Sequence, residues 1–408
     1  MQRPDQLHAS AEVTIEDLQM AAQRIAGALV RTPCQQSFTL SSITGAEVFL
    51  KFENLQYTGS FKGRGARNRL LDVESPGVIA MSAGNHAQGV AYHGTQLGIE
   101  TTIVMPENTP FVKVARTRDL GATVELAGAD VMESAERAVE LAVARGLEFI
   151  HPFDDPAVIA GQGTIGLEML EDHPDLDVIV AAVGGGGLAA GLAIAAASHD
   201  RPVQVIGVQS ERYPSMADRL ESRPSTAIGG STIADGIAVT EPGLLTSTIL
   251  EAHDVEVLVV SEAAIEQAIA MLLEIEKTVV EGAGAAALAA LMEYPDVFAD
   301  KKVGVVLCGG NIDPRTLAQV TLRGLANQGR LNRIRVELDD TPGRLALVSE
   351  LIAASKANVV QVDHDGLGST GARSTILELR IDTIDDDHAH EVLAVLVRNG
   401  LRAELLPW

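Results

Sequence analysis

Cysteine is nearly absent. Only Cys34 and Cys308 occur in 408 residues, so no disulfide framework can form, and neither sits in a cluster with zinc-site spacing. Basic residues are also short: 31 Lys and Arg stand against 55 Asp and Glu, a formal net charge of −24. After Leu331 the chain holds 13 acids and 8 bases, net −5, and the rest carries net −19. The acidity is therefore spread along the chain and reads as a solubility feature, not an acidic tail. It argues against nucleic acid or an anionic membrane as the main partner, since either demands a basic face. The opening MQRPDQLHAS has no apolar signal core, and the expected compartment is the cytoplasm. One uncharged run, VIVAAVGGGGLAAGLAIAAAS at 178–198, imitates a membrane span. Four consecutive glycines at its middle would unravel a lipid-exposed helix, so it reads as strand, loop and helix.

What is present is alternation. GVIAMSAG (77–84), ETTIVMP (100–106), ATVELAG (122–128), DVIVAAVGG (177–185), PVQVIGVQS (202–210) and KVGVVLCGG (302–310) read as short strands. Helix-length segments such as AQGVAYHGTQLG and ESAERAVELAVARG lie between them. This order gives βαβ units and a mostly parallel α/β sheet. Ligands in such sheets bind at the carboxyl ends of strands. From residue 331 the order becomes strand, helix, strand, strand, helix, strand, which is the ferredoxin-like βαββαβ arrangement. The glycine-rich stretch between NVVQVDHDG and RSTILELRIDT is its loop, and NQGRLN (327–332) is the expected linker. The expected domains are thus 1–328 and 331–408.

Three small-residue loops carry chemistry. TGSFKGRGA (58–66) sets Lys62 beside Phe61 and glycines where an extended stretch gives way to a helix. An amine held beside apolar groups loses hydration; its pKa falls and it becomes a nucleophile or base at neutral pH. Alone, the residue reads equally as a surface lysine at a helix start. SAGNHAQGVA (82–91) follows a strand and opens a helix, so Ser82, Ala83, Gly84, Asn85 and His86 offer backbone N–H groups and polar side chains to a carboxylate. An N-capped helix with a solvated His86 is the plain alternative. In GGGGL, Gly184, Gly185, Gly186, Gly187 and Leu188 let backbone N–H groups close on a phosphate. No Gly-Lys-Ser/Thr follows, so this is no nucleotide P-loop; the formal G-x-G-x-x-A match lacks the acid that a dinucleotide site wants, because Gln209 stands there.

An amine, a carboxylate cradle and a phosphate cradle together describe a pyridoxal phosphate enzyme acting on an amino acid. ENLQYTGSFKGRGA, SAGNHAQGVA, GGGGLAAG and VVLCGGNID resemble the threonine ammonia-lyase (threonine dehydratase) and serine dehydratase group of fold-type II pyridoxal phosphate enzymes, over roughly residues 21–325. The tail, with VELDDTPGRL and ANVVQVDHD, resembles more loosely an ACT-like regulatory domain. The resemblance implies a two-subdomain catalytic part, a smaller subdomain at about 60–155 being inserted in the larger one, in which Lys62 holds pyridoxal 5′-phosphate as a Schiff base and Phe61 packs against the ring. Asn85 would bond its 3′-hydroxyl, Gly184 to Leu188 would bind its phosphate, and Cys308 would face the pyridine nitrogen, doubling as a small buried residue. A neutral partner there favours β-elimination. The freed Lys62 would take the Cα proton, giving 2-oxobutanoate and ammonia from L-threonine.

Departures narrow the choice. Cysteine and threonine synthases favour an aspartate after the lysine, where Gly63 stands; serine racemases carry a second serine where Ala83 stands and a metal-binding glutamate after the strand that ends here in Gln209. The metal is left unassigned. Glu281 reads either as a neighbour of the cofactor or as a helix N-terminal acid. An L-serine dehydratase or serine racemase is the alternative within the fold type, and a nicotinamide oxidoreductase or an inactive amino-acid sensor the rival outside it. In the tail, the turn DDTPGRL offers backbone N–H groups around Thr341, Gly343 and Leu345 to an effector carboxylate, with Asn358 for its amine and isoleucine or valine as expected effector. A homo-oligomer, dimer or tetramer, is expected.

Overall fold

The computed structural model describes residues 11–365 and 374–408; the first ten residues and the glycine-rich 366–373 stretch lie outside these. The chain divides into two compact units, Met1–Ile312 and Asp313–Trp408. The helix Pro314–Asn327 falls in the second unit, whereas the expected linker would leave it in the first. The chain passes from this helix to the strand Leu331–Asp339 within four residues, and the Arg330 N–H donates to the Leu325 carbonyl at 2.9 Å.

The first unit holds two sheets. In the larger, the strands run in the order Cys34–Gln36, Glu47–Lys51, Lys302–Val306, Val178–Ala182, Gln204–Ser210 and Glu256–Val260. Only the edge strand Cys34–Gln36 is antiparallel to its neighbour. The smaller sheet is wholly parallel, in the order Thr123–Leu126, Glu100–Met105, Gly77–Met81 and Glu148–Phe149. Helices cover both faces of a parallel sheet, and its strands then read as unbroken apolar runs. Val178–Ala182 is buried at every position. The helix Gly187–Ala197 is buried along nearly its whole length and crosses Pro156–Asp172 at glycines: a Cβ on Gly191 would lie 2.5 Å from the Gly163 nitrogen. The uncharged run at 178–198 is therefore a core strand, a loop and a core helix. Among the described residues no helix is long and apolar enough to cross a membrane.

The second unit is a four-stranded antiparallel sheet in the order Asn358–Asp365, Ser374–Asp382, Leu331–Asp339, Arg402–Leu406. With the helices Arg344–Ala354 and Asp386–Arg398 its chain order is βαββαβ. The alternation of LNRIRVELD puts Ile334, Val336 and Leu338 into a core with Val348, Ile352, Val392 and Leu396.

Candidate active site

The three loops leave strand ends that meet within the first unit. Lys62 is the first residue of the helix Lys62–Leu70, which has no side-chain cap. Backbone contacts hold the entry to it: the Phe61 N–H donates to the Cys308 carbonyl at 3.0 Å, and Ser60 bridges to Gly309. The Lys62 amine donates to the Pro152 carbonyl at 2.8 Å and lies 5.2 Å from the Phe61 ring centroid. Burial pulls it from 10.5 to about 8, against the opposing pull of Cys308 and Glu281. Close packing needs small neighbours here. A Cβ on Gly89 would stand 3.2 Å from the Lys62 carbonyl.

Asn85 opens the helix Asn85–Leu97, whose first amides have no partner in the preceding turn. The Ser82 hydroxyl accepts the Gly84 N–H at 3.1 Å. The Asn85 amide nitrogen donates to Glu281 Oε1 at 2.6 Å, and its oxygen accepts from Asn311 Nδ2 at 2.7 Å. Glu281 stands at the N-cap of the helix Gly282–Glu293 yet makes no cap bond. Its carboxyl is engaged by Asn85 instead. Burial raises it from 4.5 to about 7, with Asp235 adding to the rise and the Asn85 bond opposing it.

His86 differs from expectation. Its imidazole is buried, with Nε2 3.1 Å from the Ile150 carbonyl and Nδ1 unpartnered. Burial lowers it to about 3, so it is neutral.

The glycine loop joins the strand Val178–Ala182 to the helix Gly187–Ala197. Gly186 has φ +99, a conformation that disfavours any side chain, and a Cβ there would sit 2.7 Å from Met216 and 2.8 Å from Thr246. A Cβ on Gly185 would collide with the Phe153 ring. The segment 150–155 straps this loop to the lysine. Pro152 holds the amine, Phe153 lies on Gly185, and Asp154 accepts the N–H groups of Leu244 and Thr246 at 3.1 and 3.0 Å. Sequence reasoning missed this strap and Asn311, because their contacts run across long stretches of chain.

The family follows from comparison. The model of a family described as pyridoxal-phosphate dependent enzymes matches residues 25–309. The chain belongs to that family. It is 42% identical to the L-threonine ammonia-lyase of Thermotoga maritima over 400 residues, 97% of this chain and 100% of that one. The structure of the T.th. threonine deaminase superposes with a TM-score of 0.70 at 40% identity, covering 74% of this chain and 99% of its own. The serine racemase of Dictyostelium discoideum gives 0.69 at 35%, covering 74% and 99%.

The residues present fit pyridoxal phosphate. A lowered-pKa amine, a glycine cradle in which a Cβ on Gly185, Gly186 or Gly187 would collide with its neighbours, and the buried Ser60 hydroxyl without a partner belong to the site. Cys308 is buried just beyond the strand Lys302–Val306, and burial pushes its thiol well up, so it is neutral. Among the described residues no group of three or more His, Cys, Asp or Glu gathers as a metal site. Gln209 instead accepts the N–H groups of Met216 and Ala217, and Glu211 accepts that of Glu262.

In the second unit a cavity of about 330 Å³ is lined by Thr341, Gly343 and Leu345 with Asp339, His364 and Thr375. Asn358 is not part of it. It pairs with Asp382, six residues down its strand from His364, roughly 20 Å away at strand spacing.

Proposed function

We propose that this protein is a threonine ammonia-lyase that converts L-threonine to 2-oxobutanoate and ammonia and also accepts L-serine. The observation that carries it is the Lys62 amine: desolvated and close to neutral pH, it lies beside a backbone cradle for an amino-acid carboxylate. The name and full-length match of the Thermotoga maritima relative support the substrate.

When bound, pyridoxal phosphate supplies an electron sink for a carbanion at Cα. Lys62 would hold the group through its amine between turnovers and, once free, would be the base that takes the Cα proton. Gly184, Gly185, Gly186, Gly187 and Leu188 hold the phosphate through backbone N–H groups. Asn85, with a second amide N–H beyond the one given to Glu281, would donate to the 3′-hydroxyl, and Phe61 and the neutral Cys308 would hold the ring and its nitrogen. Ser82 and the amides of Ala83, Gly84, Asn85 and His86 fix the substrate carboxylate. The proton taken by Lys62 would leave with the β-hydroxyl as water, and the released enamine would hydrolyse to the keto acid and ammonia.

Serine racemase is the second reading, favoured by the Dictyostelium neighbour. Ala83 opposes it, because its methyl group carries no proton to the other face of Cα. Residues 331–408 form the ACT-like part of the proposal: isoleucine or valine binds near Thr341, Gly343 and Leu345, and the Gly343 turn, at φ +91, opens a helix without a side-chain cap. A keto-acid assay on L-threonine, L-serine and D-serine, with and without isoleucine and valine, tests the whole. Turnover of L-threonine supports the lyase; D-serine formation without elimination overturns it, and activity indifferent to both effectors removes the regulatory part.

A further inference from the structure

Beneath the Lys62 helix lies a buried set of charges that the reaction itself does not use. Arg64 is 1 % exposed, Glu53 and Lys51 not at all. All five N–H donors of a guanidinium can be traced. Nε and NH2 of Arg64 donate to the two oxygens of Glu53, both at 2.8 Å. NH1 donates to Thr164 at 3.0 Å and to Glu168 Oε1 at 2.6 Å, and NH2 also donates to Glu168 Oε2 at 2.8 Å. Lys51 closes the set with bonds to Glu168 at 2.6 Å and the Thr32 carbonyl at 2.8 Å, while the Thr32 hydroxyl donates to Glu53. Two positive and two negative charges cancel, Glu168 keeping a side chain 16 % exposed, and the set ties the Lys62 helix to three others: the strand Glu47–Lys51, the turn Glu53–Leu55, and, through both Thr164 and Glu168, the helix Pro156–Asp172.

Arg64 stands two residues after Lys62, so it projects from the far side of the same first turn. That turn lacks a side-chain cap, and its other sides are held by contacts only glycine allows. A Cβ on Gly161 would lie 2.6 Å from the Gly65 Cα and 2.7 Å from the Arg64 carbonyl. The Lys62 side chain must leave its tether and return in every cycle while its backbone stays put. We propose that Arg64, with Glu53, Glu168 and Lys51, is a positioning device that fixes the first turn of the lysine helix so that the amine returns to the same place. The inference rests on Lys62 being the tether and base. It acts through geometry and not through charge: the quartet is neutral as a whole, and the groups that tune the amine after burial are Cys308 and Glu281.

The test is a graded series in the full-length, cofactor-loaded protein: Thr164→Val, which deletes one neutral acceptor, then Glu168→Gln, then Arg64→Lys. Each is read by the visible band of the Lys62–cofactor linkage, its pH midpoint, the thermal midpoint, kcat and KM. A misplacement near 1 Å costs roughly a hundredfold in rate, so Arg64→Lys is expected to lose roughly ten- to a hundredfold in kcat and Thr164→Val a few-fold. In Thr164→Val and Arg64→Lys, which keep the quartet neutral, KM and the pH midpoint of the band stay at the wild-type values. Thermal midpoints that fall while kcat holds make the quartet a stabilising feature only and overturn the proposal, as does a displaced pH midpoint in either of these two variants, which would mean action through charge. If Arg64→Lys fails to fold, Thr164→Val alone decides by its kcat. Loss of the visible band in Lys62→Ala is the separate check on the underlying role of the lysine; retention of that band would sink that role, whatever the series shows.

Discussion

Replacing Glu281 by Gln should stabilise the protein in a pH-dependent way. The carboxyl is 4 % exposed, and burial lifts it from 4.5 to about 7. The folded state therefore keeps a proton that the unfolded chain has already lost. Stability from this group is fully present below about 4.5 and is lost as pH rises from there through about 7. At about 1.4 kcal/mol per decade the ionised form costs roughly 3 kcal/mol at pH 8. That is a ceiling, since any opening of the cleft lets water reach the carboxylate. Gln keeps an oxygen for the Asn85 N–H and carries no charge, so the cost disappears. The variant should gain up to about 3 kcal/mol at pH 8, roughly 3–5 °C in thermal midpoint, and under about 1 kcal/mol at pH 5. Calorimetry of both proteins at the two pH values, in the same cofactor state, decides the matter. An equal difference at pH 5 and pH 8, or a variant less stable at both, refutes the argument that a buried carboxylate is the cause.

Lys62→Ala should lose turnover by about a thousandfold or more while staying folded, because one amine is both tether and base; circular dichroism and the keto-acid assay check this. In wild-type protein stripped of cofactor, covalent capture of pyridoxal phosphate should rise about tenfold per pH unit below about 8 and level off above, since the neutral amine is the reactive form. A midpoint near 10.5 would show the amine to be solvated. Gly186→Ala should weaken cofactor binding tenfold or more by equilibrium titration, as a left-handed residue costs about 1–2 kcal/mol before Met216 and Thr246 are displaced. Ala83→Ser should raise D-serine formation from L-serine only slightly, because a new hydroxyl without tuned neighbours is a poor acid or base.

Local pattern made much of this fold legible. Val178–Ala182 and Lys302–Val306 are apolar nearly throughout because both faces are covered, and the glycines that follow them mark where the chain turns into the site. The alternation in Leu331–Asp339 betrayed a sheet with one open face. Other elements carry no such mark. Glu148–Phe149 is two residues long, and Glu47–Lys51 lies in the sheet through Lys302–Val306, which is paired to it from the far end of the unit's sequence. Pairings of that kind are set by the whole core and not by neighbours in sequence.

The same limit separates the parts of the site. Lys62 and the four glycines announce themselves because their chemistry is local: an amine among small residues, amides without side chains. Glu281, Asn311 and Arg64 do not, because a charged or amide residue in a sequence reads first as solvated. Only burial changes that reading. Burial, with Asp235 nearby, drives the Glu281 carboxyl toward its neutral form against the pull of Asn85 at 2.6 Å, whereas a guanidinium whose five donors are all met stays charged at 1 % exposure. Both are costly groups to place in a core. That the chain sets them on the two sides of the lysine loop, one against Asn85 and one under the helix, is the physical reason to look for function in both.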